Sequence, residues 1–362
     1  MPDAWIPGLA GFFGLALGSF LNVCTLRWPV GQSVVHPPSR CPGCGAGIAP
    51  WDNVPVLGWL WLRGRCRNCA EPISVQYPLV ELTTGLIWAG CAWQWGLSWE
   101  ALRAATFLTI VLGIAMSDAR FYIIPDAFSL GGAVVGVALA FAPGGIGPAS
   151  ALVGAGVGFG GFWLVGVVGT WIVRRRNPDR LAEAFDAHDE QRADPVVQRR
   201  VSVLARPPAR LGLLALSAVV IAGVAVQWGM PGFWVAAPGL LAAVAILLAW
   251  VESFEDATFE AEREAEDAGA ESGGEEDVPI SALGGGDVRM MALVGAVLGP
   301  IGVLWTTLGG SLLALVAAVP LSLVFRQLIP LGIFLAYAAA ATWLWGDALG
   351  AWYLAYTGIA GP

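Results

Sequence analysis

The sequence predicts an all-α integral membrane protein with about ten transmembrane helices and a small cytoplasmic module after the first helix. Hydrophobic residues make up 57% of the chain, charged residues only 13%, and the mean hydropathy is +0.68. A helix needs about 20 successive apolar residues to cross a bilayer, and several runs reach that length. This composition overrides the two or three soluble domains that 362 residues would otherwise suggest.

The first apolar run, from about Trp5 to Val23, is interpreted as a retained span. No basic residue precedes it, whereas Arg27 and Arg40 follow it. A cleaved signal peptide has the opposite order of charge. The positive-inside rule therefore predicts an N-terminus outside and a cytoplasmic segment after the span.

Nine further spans are predicted, and their loops agree with this orientation. The spans lie at about 79–97, 100–117, 127–143, 148–173, 211–228, 231–251, 288–304, 305–325 and 329–346. The arginines at 174–176 and 326 then fall inside, whereas the short outside loops at 96–100, 142–147 and 229–231 contain no arginine. This distribution of arginines is the one that the positive-inside rule expects.

These spans and the segments between them divide the chain into five regions. They are the first helix (1–26), a cytoplasmic four-cysteine module (27–78), helices that carry Asp118 (79–173), an insertion with charged segments and two extra spans (174–283), and a glycine-rich motif with the C-terminal helices (284–362). Much of the net charge of −8 comes from an acidic run at 252–277, which argues against a nucleic-acid partner. Because the insertion adds two spans, it leaves the orientation of the later helices unchanged.

Four of the six cysteines form two C-x2-C pairs separated by 21 residues: Cys41, Cys44, Cys66 and Cys69. This spacing is close to that of a zinc ribbon, and four thiolates make a closed, structural site. Disulfides are disfavoured by the cytoplasmic placement, and two unrelated pairs of reduced thiols are the remaining alternative. Cys24 and Cys91 lie in or beside spans and are expected to be buried free thiols.

Two aspartates lie at predicted span ends on the cytoplasmic side. Asp118 closes the third span, where the helix dipole disfavours an anion and Arg120 offers an ion pair. Asp287 follows Gly284, Gly285 and Gly286, which let the backbone bend and approach a neighbour or an extended peptide closely. Taken singly, these residues are read as an ion pair and as a helix cap after a linker.

Taken together, the two aspartates suggest catalysis. Two carboxylates that meet cannot both ionise easily, so one can act as general acid and the other as general base on water. Asp118 and Asp287 are the candidates for such a pair. Asp126, which follows Pro125, is instead predicted to be the N-cap of the fourth span.

Seven short blocks of sequence occur in order along the chain. The first four are Gly18-Ser19-Phe20-Leu21-Asn22-Val23 with Arg27 and Pro29; Pro38 to Cys44; Asp52 to Cys66; and Ile73-Ser74, Tyr77-Pro78 and Glu81. The last three are Asp118 with Ile124-Pro125-Asp126; Gly284-Gly285-Gly286-Asp287-Val288-Arg289; and Ile329-Pro330-Leu331-Gly332. Together and in this order, they resemble the type 4 prepilin peptidases, the leader peptidase/N-methyltransferase family of GxGD aspartyl membrane proteases. The insertion at 174–283 and Arg289, where the family often has Lys, are departures from the pattern.

The resemblance implies a function and assigns the site residues. It implies removal of a basic leader from prepilins or pseudopilins of type IV pili or type II secretion, at the cytoplasmic face of the bacterial inner membrane. It also implies methylation of the new N-terminus with S-adenosylmethionine, for which no binding residue is identified. Asp118 and Asp287 carry over as the catalytic pair, and the four paired cysteines carry over as zinc ligands.

Other functions remain open at this point. The chain can be a non-enzymatic membrane scaffold that contains zinc, with both aspartates as helix caps, or a peptidase without methyltransferase activity. A transporter with intramembrane acids should show an inverted repeat, and none is visible. Loss of cleavage on replacing Asp118 or Asp287 distinguishes the peptidase from the scaffold.

Overall fold

The computed structural model describes residues 5–176, 283–315 and 331–357, and the regular elements within these ranges are helices. They contain no β-strand, only two isolated bridges between loop residues. The described residues form two compact units, one of residues 5–96 and the other of 97–176, 283–315 and 331–357. The predicted all-α class is confirmed for this part of the chain, whereas the five-region division stays a prediction.

The first unit is built on two long helices that pack together. Helix α1 (Trp5–Arg27) continues into a 3-10 turn, α2 (Leu57–Trp61) is short, and α3 (Gln76–Trp95) lies against α1. A methyl group on Gly14 would lie 2.7 Å from the carbonyl oxygen of Thr84, and one on Gly18 would lie 2.6 Å from the Cα of Glu81. Small residues therefore let the two backbones approach closely, as in helix pairs within membranes.

The described residues of the second unit contain five helices. They are α4 (Trp99–Phe121), α5 (Asp126–Leu139), α6 (Pro148–Arg176), α7 (Gly285–Leu313) and α8 (Leu331–Thr357). Helix α7 contacts α5, α6 and α8, and α4 contacts α5 and α8. Gly154 of α6 and Gly295 of α7 are so close that a methyl on Gly295 would lie 1.9 Å from the carbonyl oxygen of Gly154. Helix α7 thus forms the centre of the unit.

The predicted boundary between the spans 288–304 and 305–325 is wrong, because helix α7 has its break at a different position. The helix runs through those positions and is broken instead at Gly299, whose φ of 72° and ψ of −177° are not helical. Pro300 follows, and proline disfavours helical backbone in the residue before it. Glycine accepts the positive φ that results, so the Gly299-Pro300 dipeptide sets the position of the break.

Within residues 5–176, 283–315 and 331–357, four helices are long and apolar enough to cross a membrane: Trp5–Val30, Trp99–Phe121, Pro148–Ile172 and Gly285–Leu313. Helix α5, with 14 residues, is about 21 Å long and shorter than the hydrocarbon core. The predicted spans 211–228 and 231–251, the acidic run and residues 316–325 lie outside the described residues. The chain is therefore an integral membrane protein, and ten remains the predicted number of spans.

Candidate functional site

Asp118 lies one turn before the end of α4 and is buried, with 6% of its surface exposed. Its Oδ2 accepts a hydrogen bond of 3.1 Å from the backbone N–H of Ile333, in the first turn of α8. The partially positive N-terminus of α8 therefore faces the carboxylate and offsets the unfavourable dipole of α4. The sequence did not indicate this backbone contact, and the ion pair with Arg120 stays a prediction.

Asp287 occupies the first turn of α7, whose N-cap is Gly284. Its backbone N–H donates to the carbonyl oxygen of Gly284 at 3.1 Å, so the turn before the helix is tight. A side chain at Gly284 would begin 3.1 Å from Oδ2 of Asp287. The missing side chain thus leaves one side of this carboxylate open.

The structure brings the aspartate pair, Asp118 and Asp287, into one site of the second unit. The two carboxylates lie close enough to interact electrostatically. Ile124 lies against both Gly286, at the start of α7, and Gly332, at the start of α8. A methyl on Gly286 would lie 3.0 Å from the Cβ of Ile124, and a methyl on Gly332 would lie 2.9 Å from its Cδ1. The two glycines let the starts of α7 and α8 pack closely on the same isoleucine.

Gly332 lies so close to the Asp118 carboxylate that a side chain at this position would collide with it. A methyl group there would lie 2.6 Å from Oδ2 and 2.9 Å from Cγ of Asp118. Only a residue without a side chain therefore lets the carboxylate reach the N–H of Ile333. The sequence marked Gly332 as part of a family block without indicating this contact.

Asp126 is not the N-cap that the sequence predicted. Pro125 holds the cap position, and Asp126 is the first residue of α5. The Asp126 side chain pairs with Arg289 of α7, and Arg289 also donates through Nε to the carbonyl oxygen of Gly285 at 3.1 Å. The pair therefore connects the block that follows Asp118 with the glycine turn that precedes Asp287.

The four-cysteine cluster, Cys41, Cys44, Cys66 and Cys69, lies in the first unit. All four sulfur atoms are within 4.8 Å of one another. The Sγ atoms of Cys41 and Cys69 are 3.6 Å apart, and those of Cys44 and Cys66 are 4.0 Å apart. Four tetrahedral Zn–S bonds of about 2.3 Å separate the sulfurs by about 3.8 Å, so the cluster fits a zinc ion. None of the four forms a disulfide.

The two C-x2-C pairs adopt the same backbone conformation. Gly45 donates to the carbonyl of Cys41 at 2.8 Å, and Ala70 donates to that of Cys66 at 3.0 Å. Both Gly45 and Ala70 have a positive φ, of 68° and 59°. Backbone N–H groups of Cys69 and Asn68 lower the pKa of the Cys66 thiol to about 7, which favours the thiolate that a metal binds.

Each C-x2-C pair with its turn is called a knuckle here: the first knuckle is residues 41–45 and the second is residues 66–70. A bidentate ion pair attaches the segment between the two knuckles to the second knuckle. Arg67 donates from Nε to Oδ2 of Asp52 at 2.8 Å and from Nη2 to Oδ1 at 2.5 Å. The hydrogen bond from Arg67 lowers the pKa of Asp52. Cys24 and Cys91 are buried and free, as expected from their positions in or beside spans.

Comparison with known proteins points to one family. Residues 12–95 match the model of the bacterial peptidase A24 N-terminal domain. The chain is 45% identical over 177 residues to a prepilin leader peptidase/N-methyltransferase of Myxococcus xanthus, which covers 49% of this chain and 51% of the relative. It is 32% identical over 181 residues to one of Neisseria gonorrhoeae, which covers 43% and 63%.

A relative with the same name from Aeromonas hydrophila is covered further. It is 30% identical over 209 residues, which are 45% of this chain and 72% of the relative. The chain thus spans between half and two thirds of the first two relatives and more of this third one. No solved structure matches the chain.

Proposed function

Because this chain belongs to the prepilin leader peptidase/N-methyltransferase family, we propose that it is a membrane aspartyl endopeptidase that removes the leader of prepilins or pseudopilins. The aspartate pair is the catalytic group, and the reaction takes place at the cytoplasmic face of the bacterial inner membrane. The new N-terminus is then methylated with S-adenosylmethionine.

The observation that carries the peptidase proposal is that the helix starts beside Asp118 and Asp287 pack on the same residue, Ile124, which places two carboxylates from separate helices near one another. Asp118 comes from the end of α4 and Asp287 from the start of α7, and their charges interact. Two neighbouring carboxylates share a proton more readily than they both ionise. An acid and a base are thereby available at one place without a metal ion.

In the proposed reaction, the ionised carboxylate takes a proton from a water molecule, whose oxygen bonds to the carbonyl carbon of the scissile peptide. The protonated carboxyl group gives its proton as the C–N bond breaks, so that the amine leaves neutral. The Ile333 N–H stabilises Asp118 whenever its carboxylate is ionised. The turn at Gly284, Gly285 and Gly286 lets an extended leader peptide approach Asp287.

The four-cysteine cluster has a structural role in this proposal. Its thiolates would hold a zinc ion in a closed site, which leaves no position for a substrate. Methylation rests on the family name alone. The described residues contain no strand, and hence no strand-turn-helix fingerprint of a nucleotide site. No residue is therefore assigned to the methyl donor.

The test is cleavage of a tagged prepilin in membranes by the wild-type chain, Asp118→Asn and Asp287→Asn at matched protein levels. Removal of either acid-base group is expected to lower the rate about 10²- to 10⁴-fold while zinc content stays constant. Asp347→Asn is the matched control. Asp347 is exposed and lies on α8 about 21 Å beyond Ile333 along the helix, so this variant should cleave at the wild-type rate.

The outcomes separate the peptidase from a scaffold. Wild-type rates in both Asp118→Asn and Asp287→Asn would refute the aspartyl mechanism, and no cleavage by the wild-type chain would favour a non-enzymatic scaffold. Mass measurement of the cleaved product with S-adenosylmethionine present tests methylation separately. The expected result is a gain of about 14 Da, because methylation replaces one hydrogen atom by a methyl group.

A further inference from the structure

The segment between the two zinc knuckles carries an exposed apolar face. This interfacial face consists of Trp51, Val54, Leu57, Leu60 and Trp61. Trp51 is 69% exposed and Trp61 is 80% exposed. Large side chains exposed together in this way mark a surface that meets a partner or a membrane.

A buried carboxylate attaches this face to the helix pair. Glu81, in the second turn of α3, is 7% exposed and accepts a hydrogen bond of 2.7 Å from the backbone N–H of Val56. The hydroxyl of Ser19, on α1, hydrogen-bonds the same carboxylate. Val56 lies between Val54 and Leu57 in the chain. The hydrogen bond to Glu81 therefore holds the interfacial face at the level of Ser19 along α1.

The position of Ser19 along α1 gives the depth of the face. Ser19 precedes the end of α1 at Arg27 by eight residues, which is about 12 Å along the helix axis. Helix α1 is one of the helices that can cross a membrane, and it exposes Phe12, Phe13 and Phe20, as a helix in lipid does. A segment bonded at that level lies beside the membrane-spanning part of α1 rather than above it in water.

We propose that the interfacial face lies in the bilayer, at the boundary between the phospholipid headgroups and the acyl chains. Tryptophan is enriched at this boundary because its ring is apolar and its N–H is polar. Residues 27–75 contain five arginines and two carboxylates, and a zinc ion on four thiolates would add a net −2, so the segment keeps a small positive charge that favours anionic headgroups. The four-cysteine module is thereby a membrane-seated unit and not a soluble appendage.

The second knuckle differs from the interfacial face in its exposed side chains, and this difference supports the proposed orientation of the module toward lipid. Arg65, Arg67 and Asn68 are exposed there, so this part of the module presents polar groups. Trp59, on the same short helix as Leu60 and Trp61, turns inward and donates from Nε1 to the carbonyl of Ile73 at 2.9 Å. This five-residue helix therefore turns Trp59 toward the module and leaves Leu57, Leu60 and Trp61 exposed.

The experiment is fluorine NMR of the full chain labelled with 5-fluorotryptophan, in nanodiscs that contain anionic phospholipid. Trp51→Phe, Trp61→Phe and Trp59→Phe each remove one resonance and so identify it. Phospholipid with a nitroxide near the top of the acyl chain is then compared with a water-soluble gadolinium chelate. We expect loss of the Trp51 and Trp61 resonances with the spin-labelled lipid and their retention with the chelate.

Trp59 is the matched control, because paramagnetic broadening falls steeply with distance and its inward ring should lose less intensity to the spin-labelled lipid than that of Trp61. Loss of the Trp51 and Trp61 resonances with the chelate alone would place the face in water and overturn the proposal. Retention with both reagents would mean that protein covers the face, and this also overturns it. The measurement needs no cleavage activity, so its result is independent of the proposed function.

Discussion

The two units of the chain organise their candidate sites in opposite ways. In the first unit, four ligands come from two tetrapeptides, each with its own tight turn, and the chain between them is short. In the second unit, two carboxylates come from helices that are far apart in the chain, α4 and α7, and a third helix, α8, supplies the hydrogen-bond donor. The four-cysteine cluster is a local structure, whereas the aspartate pair is a product of helix packing.

This difference implies that each site can be damaged alone. Loss of a cysteine removes a ligand without moving α4 or α7. A change at the start of α8 displaces a carboxylate without touching a sulfur atom. The following variants use this independence, and they are ordered by the size of the expected effect.

The double variant Cys66→Ser with Cys69→Ser should lose zinc entirely. Structural zinc contributes about 10–16 kcal/mol at neutral pH, and two thiolates cannot hold it in a closed site. Elemental analysis of the purified chain measures the metal, and limited proteolysis within residues 28–75 reports on the fold of the module. Cys91→Ala, which removes a buried thiol outside the cluster, should keep zinc. Full zinc content in the double variant would show that these cysteines are not the ligands.

Gly332→Ala should lower kcat/KM for prepilin cleavage by about 10²-fold, because the new methyl group displaces the Asp118 carboxylate from a position 2.6 Å away. Its zinc content should equal that of the wild-type chain. The matched control is Gly350→Ala in the same helix, where nothing lies within 4 Å of the added methyl. Equal loss of activity in both variants would indicate general damage to α8 rather than displacement of Asp118.

Gly45→Ala should weaken zinc binding by about 1 kcal/mol, because a side chain at a positive φ strains the backbone of the first knuckle. Nothing lies within 4 Å of the added methyl, so no new contact offsets the strain. Ala70→Gly is the converse change at the equivalent position of the second knuckle and should not weaken binding. Titration with a competing chelator measures both affinities. Stronger binding by Gly45→Ala would contradict the expectation.

Arg289→Gln should reduce cleavage a few-fold at most, because the ion pair with Asp126 is partly exposed and such pairs contribute about 0.2–1 kcal/mol. Arg289→Lys preserves the charge and should retain more activity than Arg289→Gln. The rates are compared at low and at high salt, since screening weakens an exposed pair. Activity equal to wild type in Arg289→Gln at low salt would remove the pair from any role in positioning the glycine turn.

Much of this description could be predicted because the signals were local. Apolar runs indicated the helices, and C-x2-C spacing indicated the cluster, since ligands three residues apart meet through one turn. Predictions failed where a contact between distant residues decided the outcome. Asp126 became an ion-pair partner of Arg289 rather than an N-cap, and Asp118 accepts a hydrogen bond from Ile333 that the sequence did not indicate. The break in α7 moved to Gly299 because a Gly-Pro dipeptide interrupts a helix more strongly than a change in apolar pattern.

The sequence by itself determined that the protein is helical, that it resides in a membrane and that four thiols lie together, because hydropathy and ligand spacing act over short stretches of chain. Only the tertiary structure decided that α8 turns its N-terminus toward Asp118, that Ile124 lies against Gly286 and Gly332, and that Glu81 bonds Val56. Those contacts depend on how closely particular helices approach one another. That distance is a property of the packed helices, because the bilayer satisfies their apolar surfaces without specifying a neighbour.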